Sequence, residues 1–496
     1  MNRAHDILIL DMNYIPLFIQ NQSMMKRKFY YPAVVLILLI SQIVSAQNTG
    51  TGKTVTGSWL GKINTGALEL RIVFNISIVK NDSLVATLDS PDQGAKGIKI
   101  GPVTFEGDSL AIAAPLLRAG FRGELKNDTT IDGEWRQAGV TFPLVLTKLR
   151  KEFTVNRPQE PKPPFPYKSV DVTFSNNRFN IKLAGTLTIP EGDGPFPAVV
   201  LITGSGPQNR NEELLGHKPF LVIADYLTRH GIAVLRYDDR GVGKSEGNYV
   251  SATSADLATD AEAAWEYLKS QPVTDNSRTG LLGHSEGGLI APMIASKNDS
   301  VAFIVSLAGP GITGEKIILR QSEDIGRLMG ENEANIREST EINTKLYEIL
   351  KKEKDNKVAE EKIMAKYRDI LAKEKLPPDD IDKAVNKLQA TFGANAYTWF
   401  RYFIMTDPAI FWEKVKCPVL ALNGDKDLQV NAQQNLKAIK KALESSGNNN
   451  VETIVLPGLN HLFQHCSEGL PSEYSGIEET FSPEVLKIIA DWIVAL

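Results

Sequence analysis

The larger part of this chain is predicted to be an α/β fold, a mostly parallel sheet with helices on both faces, carrying a helical cap insertion and preceded by a small antiparallel β domain. Three observations predict it. From residue 169 to the end, strand-like apolar runs alternate with amphipathic stretches of helical period. A charged stretch with no strand candidate, at about 314–396, interrupts that alternation. Before residue 151 the chain reads instead as short strands punctuated by turn residues.

The elements follow in order. Residues 1–46 form a targeting region: Lys26, Arg27 and Lys28 precede an apolar run, Ala33 to Ile40, which ends in the small-x-small tripeptide Val44-Ser45-Ala46. The run is shorter than the roughly 20 residues a spanning helix needs. Met24 or Met25 is therefore the expected start, cleavage is expected after Ala46, and the protein is expected to be exported, periplasmic or secreted. Residues 54–150 are the β domain, a barrel or sandwich, with Trp59 and Trp135 in Gly-flanked strands and turns at Asn81-Asp82, Gly107-Asp108 and Asn127-Asp128. Residues 151–168 are a linker: Arg157 to Pro166 holds five prolines in ten residues, an extended and semi-rigid composition.

Beyond it, the expected strands are Val170–Phe174, Leu183–Ile189, Ala198–Thr203, Ile232–Tyr237, Arg278–Gly283, Phe303–Ala308, Pro418–Asn423 and Glu452–Leu456. The continuous apolar character of the central ones is that of strands buried on both faces. Helices are expected at Pro219–Arg229, at Ser254–Ser270 with Ser254 as cap, from Ser285, and at Pro483–Leu496. Composition sets outer limits. The chain has 496 residues, enough for two or three domains. Its 42% hydrophobic and 23% charged content is that of a globular protein, and a net charge of −4 gives no basic stripe for nucleic acid.

The chemistry gathers on Gly283-His-Ser-Glu-Gly287. An apolar strand ends there and a Gly/Ala-rich helix begins, the setting in which G-x-S-x-G forms a sharp elbow presenting its serine. Ser285 is the candidate nucleophile and needs a base to take its proton. Chains built on such an elbow supply the acid and then the histidine downstream. Of six histidines only His461 and His465 follow the serine, and His461 comes directly after the last strand. Asp425 and Asp427 both follow the strand Pro418–Asn423; Asp427 is chosen because Gly424-x-x-Asp427-x-x-Val430 has the spacing of the acid loop, and Asp425 stays in reserve. An oxyanion hole needs two donors. One is the backbone N–H of Glu286; the other is expected from the Gly-rich loop after Ala198–Thr203, at Ser205 and next at Gly206. Asp239-Arg-Gly-Val-Gly-Lys-Ser245 lacks the first glycine of a nucleotide-binding loop, since Asp238 stands there.

These motifs, with Tyr237-Asp-Asp-Arg-Gly-Val-Gly-Lys-Ser245, Asn423-Gly-Asp-Lys-Asp427 and Leu459-Asn-His461, resemble the α/β-hydrolase superfamily over roughly Val170 to Leu496. The chain looks most like its bacterial serine-aminopeptidase-like and dienelactone-hydrolase-like branch. Relatives there include carboxylesterases, carry the loop found here as Thr203-Gly-Ser-Gly-Pro-Gln208, and often have a β domain in front. The resemblance implies cleavage of carboxylic esters through an acyl-serine intermediate, on a small-molecule ester or short peptide-like substrate, with no cofactor, metal, nucleic acid or stable membrane span. Phe400, Phe403, Phe411 and Trp412 are candidates for an acyl pocket or for core. Two alternatives remain: an exopeptidase or amidase using Glu212 or Glu213 for a substrate's amine, and a β domain that binds glycan or lipid with the hydrolase accessory to it. Cys417 and Cys466 fall at opposite edges of the sheet on this fold. A strand spans ~17–20 Å against the ~7 Å a disulfide allows, so both thiols are expected free.

Overall fold

A computed structural model describes residues 55–496, apart from 65–68, 80–82, 94, 138–139, 152, 154–155, 375 and 392–395. The targeting region and the Asn81-Asp82 turn lie outside the described residues.

The N-terminal part is one nine-stranded antiparallel sheet in the order β4-β3-β2-β1-β9-β8-β7-β6-β5. Its strands are β1 (Gly57–Asn64), β2 (Glu69–Ile78), β3 (Leu84–Ser90), β4 (Ala95–Lys99), β5 (Val103–Glu106), β6 (Ser109–Ala114), β7 (Ala119–Asn127), β8 (Thr130–Gln137) and β9 (Val140–Lys148). The sheet curls around a single core in which Trp59 and Trp135 are fully buried. Each indole N–H finds an acceptor: Trp59 on Val55 O at 2.7 Å and Trp135 on Gln137 Oε1 at 3.2 Å. Gly107-Asp108 is the two-residue loop joining Glu106 to its partner Ser109.

The second sheet has eight strands in the order β10-β11-β13-β12-β14-β15-β16-β17. They are β10 (Lys168–Asn176), β11 (Ile181–Ile189), β12 (Phe196–Ile202), β13 (Ala233–Tyr237), β14 (Thr274–His284), β15 (Ile304–Leu307), β16 (Val419–Gly424) and β17 (Val451–Leu456). The first three pair antiparallel and the rest parallel. Helices α1 (Pro219–Arg229), α2 (Ser254–Lys269) and α3 (Glu286–Ala295) lie between these strands, and apolar cores cover both faces. The strand order reverses around β12 and β13, which is where α/β sheets open a crevice for ligands.

Three details differ from the sequence expectations. Thr253, not Ser254, caps α2: it forms a reciprocal box with Asp256, which frees the Ser254 hydroxyl for another partner. The helical insertion does not stop near residue 396. It comprises α4 (Gly314–Leu328), α5 (Glu333–Lys352), α6 (Asn356–Lys373), α7 (Pro378–Thr391), α8 (Ala396–Met405) and α9 (Ala409–Trp412). A helix unassigned from sequence, α10 (Ala432–Ser445), is capped by the Asn431 side chain; α11 (Pro483–Ala495) ends the fold. Among the described residues, no helix is long and apolar enough to cross a membrane.

The two parts are in contact. Leu70 of β2 packs with Leu215, Leu462 and Tyr474 of the α/β part. The linker's Arg157 is half-buried, and its guanidinium donates to the carbonyls of Leu215, Gly216, Ser475 and Ile477.

Candidate active site

Ser285 sits between the end of β14 and the start of α3, at φ 52° and ψ −116°. A non-glycine residue holds such a conformation only where its surroundings over-determine it. The surroundings here are very close. A Cβ at Gly283 would lie 2.0 Å from Gly287 O, and one at Gly287 would lie 2.1 Å from Ile202 O. Both outer positions of the motif must therefore be glycine for β12, β14 and α3 to meet.

Three expected residues come together here. His461 Nε2 is 3.1 Å from Ser285 Oγ, and His461 Nδ1 is 2.8 Å from Asp427 Oδ2. Asp427 is buried, and its other oxygen accepts the backbone N–H groups of Gln429 at 2.8 Å and Val430 at 2.9 Å. Asp425 and His465 lie elsewhere. Asp425 accepts the Gly458 N–H at 2.7 Å, and the exposed His465 pairs with Glu479 at 2.9 Å.

The loop after β12 passes beside Ser285: a Cβ at Gly204 would be 3.2 Å from Ser285 Cβ. Gly206, the second choice for an oxyanion donor, is corrected, because its N–H is taken by the Tyr249 hydroxyl at 2.9 Å. The Gly204 N–H is likewise taken, by Glu212 Oε1 at 2.7 Å. Ser205 lies between them, and its N–H has no partner among the described residues. Glu286 opens α3, so its N–H belongs to the first turn, where no carbonyl of the helix reaches it. Asp239 braces this loop by accepting the Thr203 hydroxyl and the Gln208 N–H. Burial pushes the Asp239 carboxyl well above the usual range despite those donors. The Gly-rich segment that follows wraps Asp238, which accepts the Lys244 N–H; a Cβ at Gly243 would collide with the Asp238 carboxyl.

Sequence reasoning missed several supports. His284 Nδ1 is 3.0 Å from Glu212 Oε1, and His284 Nε2 is 3.0 Å from His461 O. The expectation that Glu212 serves a substrate amine is corrected, since Glu212 is buried and its Oε1 already serves Gly204 and His284. Beneath the elbow, Glu286 Oε1 accepts from the Ser254 hydroxyl and, at 2.7 Å, from the Trp399 indole of α8. Burial raises the Glu286 carboxyl above the ordinary value, partly offset by those two donors. The cap helix thus reaches the residue that follows Ser285. Phe400 and Trp412, on helices of the insertion, are fully buried in the core, which removes them as pocket walls; Phe403 stacks on Trp399 at 5.3 Å. The only sequence signal for Trp399 was its place in an aromatic cluster. Cys417 and Cys466 are free thiols. Among the described residues no group of three or more side chains could hold a metal ion.

Residues 218–373 match the family profile described as "Serine aminopeptidase, S33". Esterase EstD of Thermotoga maritima is 29% identical over 376 residues, 75% of this chain and 77% of that protein. An uncharacterized 31.7 kDa protein of Escherichia coli is 24% identical over 279 residues, 55% of this chain and 86% of that one. Among solved structures, an esterase of Pyrococcus furiosus aligns at 18% identity and a TM-score of 0.40, covering 70% of this chain and 99% of its own. A hypothetical protein of Pseudomonas aeruginosa aligns at 15% identity and a TM-score of 0.43, with the same two coverages. The strand order and the Ser285 elbow are those of an α/β-hydrolase fold, and the chain is similar to the serine-aminopeptidase profile over residues 218–373 and to an esterase over three quarters of its length.

Proposed function

We propose that this protein is an exported serine esterase with Ser285 as nucleophile, His461 as general base and acid, and Asp427 as the group that orients His461. The observation that carries the reading is the unbroken hydrogen-bond relay from Asp427 through His461 to Ser285, at the carboxyl end of the parallel strands. In the reaction, Ser285 Oγ attacks the ester carbonyl carbon as His461 Nε2 takes its proton. The carbonyl oxygen becomes an oxyanion facing the N–H groups of Glu286 and Ser205. His461 then gives the proton to the leaving alkoxide as the C–O bond breaks, which leaves an acyl-serine. A water, deprotonated by His461, attacks the acyl carbon and releases the acid, and Ser285 recovers its proton. Asp427 stays an acceptor throughout, stabilising the imidazolium through Nδ1–H. The esterase relative supports an ester as the bond cleaved. Ser285→Ala is expected to lower kcat on p-nitrophenyl acetate by on the order of 10⁶-fold with thermal unfolding unchanged; activity near the wild-type level overturns the assignment.

The matched profile is named for an aminopeptidase, which keeps a peptidase reading in play. That chemistry wants a free carboxylate near the nucleophile; Glu212 is already committed, and Glu213, the other candidate, is half-buried and accepts from Asn209 Nδ2 at 3.3 Å. Aminoacyl-p-nitroanilides assayed beside p-nitrophenyl esters decide between the two, with the ester expected to be the better substrate. Export rests on the basic patch, apolar run and Val44-Ser45-Ala46 site. Sequencing the mature protein is expected to give Gln47 as its first residue, and an intact N-terminus would overturn cleavage there.

A further inference from the structure

Between the oxyanion loop and the base loop lies a buried pair that plays no part in the proton transfers. Glu212 is 3% exposed and, at φ 51°, holds a left-handed conformation uncommon for a residue with a side chain. Its Oε1 accepts the Gly204 N–H at 2.7 Å and faces His284 Nδ1 at 3.0 Å. The other nitrogen of the same ring faces the backbone carbonyl of His461 at 3.0 Å. A carbonyl oxygen only accepts, so Nε2 must carry a hydrogen. The oxygen facing Nδ1 already accepts an N–H; as a carboxylate oxygen it accepts from Nδ1 as well, and Nδ1 then carries a hydrogen. An imidazole with both nitrogens protonated is a cation.

We propose that Glu212 and His284 form a permanent carboxylate–imidazolium strut that fixes the oxyanion loop, the elbow and the base loop against one another. A buried charge persists only when it is paired and hydrogen-bonded, and here each partner supplies that for the other. Burial by itself drives His284 toward its neutral form; Glu212 and the His461 carbonyl overcome this and hold it above the ordinary histidine value. The titratable groups facing it are Glu212 from the loop before α1 and His461 from the loop after β17, with Asp427 behind His461. Phe463 closes the ring edge at a centroid distance of 6.3 Å.

Each end of the strut bears on a reacting group without touching the reacting atoms, so both are positioning residues. At one end Glu212 grips the N–H of Gly204, next to Ser205. A side-chain carbon at Gly204 would lie 3.6 Å from His284 Nδ1, so the positive ring sits under the loop that receives the oxyanion. At the other end His284 grips the backbone of His461, whose Nε2 must stay aimed at Ser285 Oγ.

Glu212→Gln separates charge from shape. Its amide oxygen can accept both N–H groups while His284 is charged. Without the carboxylate, His284 becomes neutral at alkaline pH and presents an acceptor at Nδ1. The amide must then turn its NH₂ to the ring and release Gly204, or leave the ring unpaired. The inference rests on the Ser285–His461 reading, so Ser285→Ala is assayed in parallel: an active Ser285→Ala enzyme overturns that reading, whereas the strut is judged by the pH dependence of Glu212→Gln. At about pH 8 the variant is expected to lose roughly tenfold in kcat on p-nitrophenyl acetate with KM changed less than about twofold, since misplacement costs rate more than binding. The ratio of variant to wild-type kcat is expected to rise at least about threefold by pH 5.5, as His284 regains its proton. A flat ratio, or an unchanged kcat, overturns the strut. Should the variant not fold, ¹⁵N-histidine NMR of the wild-type enzyme at about pH 8 decides: a His284 ring with both nitrogens protonated supports the strut, and a neutral His284 ring overturns it.

Discussion

Replacing Asp427 by Asn tests the acid's role, because the structure dictates how the amide must sit. Asp427 Oδ1 accepts two backbone N–H groups, from Gln429 and Val430, and Oδ2 accepts from His461 Nδ1. An Asn in its place must keep its oxygen on the two N–H groups, since turning it would set an NH₂ against both of them in a buried site. The NH₂ then points at His461 Nδ1 and donates to it. The hydrogen of neutral His461 is forced onto Nε2, the nitrogen 3.1 Å from Ser285 Oγ, which can no longer take the serine's proton. Loss of the correct tautomer with geometry intact costs about 10⁴-fold in kcat, or roughly 5.5 kcal/mol of transition-state stabilisation. Asp425→Asn is the control: its exposed oxygen accepts the Gly458 N–H, a bond an amide oxygen can keep. Steady-state kinetics on p-nitrophenyl acetate, with thermal melting as a fold check, are expected to show the loss in Asp427→Asn and a change under about threefold in Asp425→Asn. Equal effects in the two variants, or a loss under about tenfold at Asp427, would refute the reasoning.

Three further outcomes follow from burial and packing. Glu286 is raised above its unfolded value by burial, so its contribution to stability is full below the unfolded value near 4.5 and is lost as pH rises through the folded one; Glu286→Gln, which mimics the neutral acid, is expected to raise Tm relative to wild type more at about pH 8 than at pH 5. His217 is pushed down to about 3 by burial and by Arg157, so the unfolded chain binds the extra proton between about 3 and the ordinary 6.5, and stability is full above that range and lost as pH falls through it. His217→Gln is therefore expected to flatten the fall of Tm between about pH 7 and 4, and an unaltered slope would count against a neutral buried His217. Leu70→Ala empties the contact between β2 and the Leu462–Tyr474 surface and is expected to cost about 2–4 kcal/mol in denaturant unfolding, with kcat lowered because Leu462 adjoins His461; unchanged stability would mean that the β domain does not bear on the base loop.

The parts of the site legible in the sequence are those whose geometry is local. The elbow could be read because a strand, two glycines and a helix must be consecutive to make it. Asp427 was separable from Asp425 because the two backbone N–H groups that hold it come from the next three residues, a spacing written in the chain. The supports were not legible because each joins segments far apart. Glu212 and His284 are 72 residues apart, and Glu286 and Trp399 are 113 apart. A glutamate after the nucleophile looks like a surface residue until a cap helix is known to close over it. The cap of α2 was misplaced by one residue because Thr253 and Ser254 are both competent caps, and only the distant Glu286 decides that Ser254 is employed elsewhere.

The acidic groups around Ser285 show how one chemical type serves opposed needs. Asp427 faces three N–H donors and can hold the negative charge that a protonated His461 requires. Glu286 is as deeply buried, yet both its donors fall on one oxygen and Oε2 has none, so burial raises its carboxyl above the ordinary value and favours the neutral form. That shift matters, since the backbone N–H of the same residue is the proposed donor to the oxyanion. A charged carboxylate there would oppose the charge its own backbone must stabilise. The Trp399 indole therefore does two things through one hydrogen bond: it satisfies a buried acid and ties the cap to the elbow. If the cap lifted during turnover, that donor would leave, and a Glu286 stripped of it would have to find water or distort the start of α3. The bond thus holds α8 against the start of α3.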